Sequence, residues 1–282
     1  MHFSEEAEKT VERALAEDLA WGDITTQALV PPELEGQGTL LVKAQGVLAG
    51  MEIAALVFRK VDPEVHLEIR VRDGERVEPG TGAGVVRGRV RSLLMAERTA
   101  LNFLTRLSGI ATLTSRYVEA VAGTGCVIAD TRKTAPGLRP LDKFAVRVGG
   151  GKNHRFHLGD GVLIKDNHWQ ALKLQGLSLE EGIGRARAQA HHLLRIEVEV
   201  KSFEEAQEAL RAGADWLLLD NMTPEGMERI VRAFKGKVHF EASGGIDLSN
   251  VRRVAETGVD MISIGALTHS PRALDISLEL ES

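Results

Sequence analysis

The sequence predicts an α/β protein in two parts, the second an incomplete α/β barrel. Three observations lead there. After Gly125 apolar strand candidates come with amphipathic helices between the later ones, and the last four end at Val200, Asp220, Ala242 and Gly265, a repeat of 20–23 residues. Strand–helix alternation at this period implies parallel strands with right-handed crossovers, and six strands are too few for a full eight-stranded barrel. An open doubly wound sheet is the main rival. The first 110 or so residues follow another rhythm, of short strands between turn signals.

Along the chain, Ser4 before Glu5-Glu6-Ala7-Glu8 reads as an N-cap with acids in the first helical turn. Pro31-Pro32 ends this opening region. Strands are predicted over 38–44, 46–49, 66–71 and 84–91, with turns at Asp73-Gly74 and Pro79-Gly80. The 73–80 stretch resembles the turn of a lipoyl-type domain but carries no lysine at its tip, so it reads as structural. A long helix is predicted from Glu97 through Tyr117 to about Ala122. Barrel strands follow over 127–131, 161–165, 195–200, 216–220, 238–242 and 261–265. The helix over 203–212 ends at Gly213 as a C-cap, Pro224 opens the next helix after Thr223, and a third runs over 247–257 to Gly258.

Composition narrows the class. Of 282 residues, 43% are hydrophobic and 27% charged, ordinary values for a globular protein with a sizeable core. The single cysteine, Cys126, excludes an internal disulfide and a four-cysteine zinc site, and its place at the head of an apolar run reads as a small buried hydrophobe. No stretch of about 20 apolar residues predicts a membrane helix. The acidic start, Met1 to Lys9, has no apolar core and does not read as a signal peptide, so a cytoplasmic protein is expected. A net charge of -5 argues against nucleic acid as the main partner.

Against that acidic balance stands a local cluster of cations. From Arg132 to Lys165 there are eight basic residues (Arg132, Lys133, Arg139, Lys143, Arg147, Lys152, Arg155, Lys165) and two acidic ones (Asp142, Asp160). Arg grips carboxylate and phosphate in a planar fork and Lys adds a point charge, so the cluster suits a small, multiply anionic substrate. Barrel sites lie at the C-terminal ends of strands. Those ends read Thr131-Arg132-Lys133, Lys165-Asp166-Asn167, Glu199, Asp220-Asn221, Ser243-Gly244-Gly245 and Gly265-Ala266. Glu199 and Asp220 end neighbouring strands and suit Mg²⁺ carried on a diphosphate. Glu197 faces the same way, deeper in the barrel, open to pairing with a cation. The glycine turns after Glu241-Ala-Ser243 and Ile262-Ser-Ile264 form a two-loop phosphate cup. His154 and Arg155 follow Gly149-Gly-Gly151, a run able to close over a ligand, and point to a carboxylate or ring-nitrogen contact. His168, His191 and His192 receive no role.

These residues resemble the quinolinate phosphoribosyltransferase family. The resemblance rests on Glu97-Arg-Thr-Ala-Leu-Asn-Phe-Leu104 with Ser108-Gly-Ile-Ala-Thr112, Asp130-Thr-Arg-Lys-Thr-Ala-Pro-Gly137, and Gly149-Gly-Gly-Lys-Asn-His-Arg155. Ile164-Lys-Asp-Asn-His168, Glu197-Val-Glu-Val200, Leu218-Leu-Asp-Asn221, Glu241-Ala-Ser-Gly-Gly-Ile246 and Ile262-Ser-Ile-Gly-Ala-Leu-Thr-His269 extend it over nearly the whole chain, with no departure at a motif position.

The resemblance implies an N-terminal α/β sandwich over 1–110, joined by segment 270–282, and a variant α/β barrel over 111–269 that carries the site. It implies transfer of phosphoribose from phosphoribosyl pyrophosphate to quinolinate with decarboxylation, giving nicotinate mononucleotide, pyrophosphate and CO2, with Mg²⁺. Arg132, His154, Arg155 and Lys165 would hold quinolinate and Lys133 the pyrophosphate, with Thr131 also binding substrate. Glu199 and Asp220 would take the ribose hydroxyls and the metal-diphosphate. Ser243, Gly244, Gly245, Gly265 and His269 would hold the 5-phosphate, with Ala266 and Leu267 also binding substrate. The family assembles as a dimer or as a hexamer built as a trimer of dimers, and Arg98 of one subunit would enter the site of another. Two alternatives remain: a related transferase for nicotinate or another ring acid, and a barrel that binds a phosphorylated metabolite without turnover.

Overall fold

Buried and accessible residues alternate along β1 (Glu35–Val42), with Gly38, Leu40 and Val42 turned inward. This period-2 pattern buries one face of the strand. The computed structural model describes residues 5–281, so the predicted Ser4 cap lies outside the described residues. By its packing the chain divides into two compact units: Met1–Ser115 with Thr134–Gly150 and Ala266–Ser282, and Arg116–Lys133 with Gly151–Gly265.

The first unit is built on a four-stranded antiparallel sheet. β1 lies between β5 (Gly82–Arg89) and β12 (Ile276–Glu281), and β3 (His66–Ile69) flanks β5. A two-stranded ribbon joins β2 (Gly46–Val47) to β4 (Arg76–Val77), inside the predicted 73–80 turn region. The helices here are α1 (Glu5–Asp18), α2 (Ile24–Leu29), α3 (Met51–Val61) and most of α4 (Val90–Ala120), with α5 (Arg139–Val148) and the short α11 (Ala266–His269). α3 buries Met51, Ile53, Ala54, Val57 and Phe58 and packs on α1 and β3. Asp73 Oδ1 accepts the N–H groups of Gly50 and Met51 at 2.9 and 3.1 Å and so caps α3 from a distant turn.

The first unit departs from the sequence expectation in three places. Helices occupy 51–61 and 139–148, where none is expected, and β5 runs straight into α4 at Val90, ahead of the expected start at Glu97. Segment Thr134–Gly150 packs with the first unit. There Arg106 holds the fully buried Asp142 through two bonds of 2.9 Å. The glycine run is not a slack hinge. A Cβ on Gly149 would stand 2.5 Å from the Ala111 carbonyl oxygen, so Gly149 marks a close approach to α4, and Gly150 takes φ +88 at the end of α5.

The second unit carries a six-stranded parallel sheet: β6 (Val127–Ala129), β7 (Val162–Ile164), β8 (Ile196–Val200), β9 (Trp216–Asp220), β10 (His239–Ser243) and β11 (Met261–Ser263). β9 (WLLLD) is a near-continuous apolar strand, as strands of parallel sheets are, whereas β8 (IEVEV) alternates apolar residues with Glu197 and Glu199. The order is β6-β11-β10-β9-β8-β7. Read as a circle, this is chain order, with the first strand beside the last and one unpaired gap between β6 and β7. A doubly wound sheet reverses at a switch point, and this one does not. The architecture is an incomplete α/β barrel. Lys152 bridges to β6: its N–H donates to Ile128 O at 2.8 Å and its carbonyl accepts the Asp130 N–H at 3.1 Å.

Between the strands run α6 (Asp166–Leu174), α7 (Leu179–Gln189), α8 (Phe203–Arg211), α9 (Pro224–Phe234) and α10 (Val251–Glu256). Their starts are sequence-coded. Ser178, Ser202 and Thr223 accept the N–H three residues on, and Pro224 occupies the first turn as predicted. α10 is shorter than predicted because Asp247 accepts the Ser249 N–H and holds the residues before Val251 in a turn. No helix among the described residues is long and apolar enough to cross a membrane.

Candidate active site

All six parallel strands deliver their last residues to one end of the sheet. Asp130, directly after β6, is fully buried. Its Oδ1 accepts the His154 backbone N–H at 2.9 Å and its Oδ2 accepts the Asn153 amide at 2.6 Å. Asp130 therefore ties the 153–154 corner to the end of β6. Thr131 Oγ1 accepts the Lys133 N–H at 3.0 Å, which shapes the turn presenting Arg132 and Lys133.

Glu197 and Glu199 sit two apart on β8 and share a face, as do Glu241 and Ser243 on β10. His154 Nε2 lies 3.3 Å from Glu197 Oε2 and 3.4 Å from Glu241 Oε2. Burial alone would lower the pKa of this histidine. The hydrogen bonds and charges of Glu197 and Glu241 outweigh it and push the ring up to about 10. Glu197 is pushed up to about 7, first by burial and then by the charge of Glu241, with His154 pulling the other way. The ligand atoms of these three residues lie within 4.8 Å of one another. Such closeness is also what a cationic ring between two carboxylates requires. Glu199 and Asp220, the predicted metal ligands, are not in this trio.

A cavity of about 340 Å³ opens at the strand ends. Its lining combines the cations Arg132, Lys133, His154, Arg155 and Lys165 with the acids Glu199, Asp220 and Glu241. Thr131, Ser243 and Ser263 add hydroxyls, and Leu163 and Leu218 the apolar part. Arg155 Nη1 donates to the Gly161 carbonyl at 3.1 Å, and burial followed by the neighbouring charge of Arg132 draws its pKa down. Arg132 Nε is buried with no hydrogen-bond partner among the described residues. Two mutually repelling guanidinium groups, one with an orphan donor, make a seat for an anion. The Glu199 carboxyl is pushed up by burial, then by the charges of Asp220 and Asp166. A larger hollow of about 640 Å³ includes the starts of strands, at Val238 and His239. It lacks this pairing of acids with cations at strand ends.

After β10, Gly244 and Gly245 both take positive φ, +87 and +62. Asn221 packs into the turn: its N–H donates to Ser243 O at 2.9 Å and its side-chain amide to Asp220 Oδ2 at 2.9 Å. A Cβ on Gly244 would collide with the Asn221 amide. Ser243 lines the cavity, while Gly244, Gly245 and Gly265 do not. Arg98, Ala266, Leu267 and His269 belong to the first unit. Arg98 is exposed on α4, Leu267 is buried, and His269 Nδ1 lies 2.6 Å from Ser270 Oγ.

Sequence reasoning gave Glu241 and Ser263 no part. The signal for Glu241 was its place two residues before Ser243, on one strand face. Glu197, left open to a cation, has His154. His168, given no role, accepts the Lys165 N–H at Nδ1, 2.9 Å away, at the start of α6.

Comparison with known proteins decides the family. Residues 110–279 match the quinolinate phosphoribosyl transferase C-terminal domain, and residues 23–108 match the N-terminal domain. The chain belongs to the quinolinate phosphoribosyl transferase family. Within this family it is 46% identical to the nicotinate-nucleotide pyrophosphorylase [carboxylating] of Mycobacterium leprae, over 97% of each chain. The probable enzyme of the same name from Bacillus subtilis is 39% identical, over 96% of this chain and 92% of that one. The crystal structure of NadC from Streptococcus pyogenes superposes with a TM-score of 0.94 at 40% identity, covering 100% of this chain and 99% of that one. Every residue lining the strand-end cavity falls inside the C-terminal quinolinate phosphoribosyl transferase match.

Proposed function

We propose that this chain is a decarboxylating quinolinate phosphoribosyltransferase, a pentosyltransferase of pyridine nucleotide and NAD biosynthesis. It joins quinolinate to phosphoribosyl pyrophosphate and releases nicotinate mononucleotide, pyrophosphate and CO2. The observation that carries this reading is the buried, unpartnered Nε of Arg132 beside Arg155, in a cavity that also holds paired acids. Quinolinate has two adjacent carboxylates. Arg132, Arg155, Lys165 and His154 offer matching cations, and a mono-acid would leave some of them unpaired at a cost.

In the transfer step the pyridine nitrogen attacks C1 of the ribose as pyrophosphate leaves. Glu199 and Asp220 hold the ribose hydroxyls and stabilise positive charge developing on the sugar, and Lys133 holds the departing anion. The Ser243–Gly245 turn and Gly265 cradle the 5-phosphate. In the second step the quaternised ring loses its 2-carboxylate as CO2. The electron pair left at C2 is stabilised as an ylide by the adjacent ring cation and is then protonated from water, so the step needs a proton delivered to C2 and no general base, and the protein supplies position and field. Oxygen donors from Glu199 and Asp220, where burial first and then the charge of Asp220 raise the Glu199 pKa, suit a hard divalent cation. Mg²⁺ held there with the diphosphate would neutralise charge on the leaving group.

The same reading makes the active form a homo-oligomer, a dimer or a trimer of dimers, in which exposed Arg98 of one subunit completes the site of another. It also places the enzyme in the cytoplasm, where its one cysteine needs no oxidising compartment. The test is a product assay with phosphoribosyl pyrophosphate, Mg²⁺ and either quinolinate or nicotinate. Nicotinate mononucleotide and CO2 from quinolinate alone is the expected result. Product from nicotinate would move the substrate assignment, and no product from either would leave a binding barrel.

A further inference from the structure

Two buried acids in the barrel have no part in the chemistry above. Glu197 and Glu241 come from β8 and β10 and meet at one atom, His154 Nε2, at 3.3 and 3.4 Å. Their side chains are 11% and 3% exposed, against 16% for the ring. Burying two carboxylates is costly unless something compensates each of them. Glu197 meets only the ring and the Glu241 carboxyl, and its Oε1 is buried with no partner among the described residues. A fold selected for stability alone would gain by putting apolar residues at both positions. The second half of the constraint comes from the backbone, where buried Asp130 accepts the His154 N–H and holds Asn153. The ring is thus fixed at both ends, by Asp130 at its main chain and by the two acids at Nε2. It lines the strand-end cavity together with Arg132 and Arg155. A second hollow of about 230 Å³ is lined by His154, Arg155, Glu197 and Glu241 with Trp216 and Met261, so the ring borders open space on both sides.

We propose that Glu197 and Glu241 are positioning residues that act through His154, holding its ring in the one orientation that receives the ring-acid substrate. The inference rests on the quinolinate reading above and deepens it. An unanchored imidazole would spread over several rotamers and over the second hollow, and the cost would fall on the ring acid, not on the phosphoribosyl donor. Glu241 also borders the strand-end cavity, so its coupling to His154 is what separates positioning from direct contact.

The experiment is a double-mutant cycle in the full-length enzyme. Glu241→Gln keeps the volume and removes the anionic acceptor. It should raise KM for quinolinate about tenfold, while KM for phosphoribosyl pyrophosphate and the melting temperature stay near wild type. In a His154→Gln background the further change Glu241→Gln should have no added effect on quinolinate KM. Glu197→Gln goes through the same cycle, so that one variant lost to misfolding still leaves a decisive result. Additive effects of His154 and the acids, or equal effects on both substrates, would overturn the proposal. Wild type is assayed alongside. No turnover by wild type would sink the functional reading itself, whereas normal wild-type turnover with additive variants would sink this inference alone.

Discussion

Arg132 holds a buried donor without a partner among the described residues, and removing it relieves a cost as well as a contact. Arg132→Ala should therefore lower kcat/KM for quinolinate by about 100-fold or more while the melting temperature is unchanged or slightly higher. Near-normal turnover would remove Arg132 from the carboxylate seat. His154 gives a pH signature. Its folded pKa, about 10, lies above the ordinary value of 6.5, because two carboxylates outweigh its burial. The folded state binds the extra proton between those values, so this contribution to stability is full below 6.5 and is lost as pH rises through about 10. Melting temperature should fall between pH 7 and 10, and His154→Gln should fall less over the same range. An identical fall in both would reject His154 as the source. At this scale the sequence was legible where residues stand at strand ends: Arg132, Lys133, Lys165, Glu199, Asp220 and Ser243 could be named from position alone. Glu241 could not, because its meaning depends on a histidine from a distant loop, and Arg98 had no signal besides family resemblance.

Among the elements, β6, β7, β9 and β11 were readable as short apolar runs, and β8 and β10 by the period of strand and helix around them. α3 was not, because the carboxylate that caps it comes from Asp73, far along the chain. The start of α4 was missed because no breaker separates Arg89 from Val90. The glycine run invited a reading as a mobile loop, and packing explains it better. Gly149→Ala should destabilise the protein by about 1–3 kcal/mol, since its Cβ would press on the Ala111 carbonyl of a helix that cannot retreat cheaply. Denaturant unfolding measures this, and an unchanged midpoint would mean the helix yields. At the Ser243–Gly245 turn, Gly244→Ala forces a side chain into left-handed backbone and against Asn221. It should raise KM for phosphoribosyl pyrophosphate about tenfold with quinolinate KM nearly unchanged. Equal effects on both substrates would show that the turn does more than seat the phosphate.

For the molecule as a whole, the circular strand order distinguishes the barrel from a doubly wound sheet, a choice periodicity had left open. Spacing alone reports that strands are parallel, and only pairing of β6 with β11 reports that the sheet comes round on itself. The proposed sharing of Arg98 belongs to this scale too. Inactive Arg98→Ala and Arg132→Ala chains, mixed and exchanged, should regain partial activity, because some hybrid sites receive both arginines. No recovery after verified subunit exchange would rule out a shared site.

The pairing of β1 with β12 carries a consequence for synthesis. Gln37 faces Glu281 across the sheet, so the two strands are made far apart in time. While the ribosome works through the barrel, β1 waits with one row of backbone donors and acceptors bare, and such an edge invites pairing with other chains. The barrel strands lie between and can settle first, so the first unit to be translated is the last to be completed. Nascent chains stalled before residue 276 should therefore show the barrel protected from protease and the N-terminal sheet still open to it.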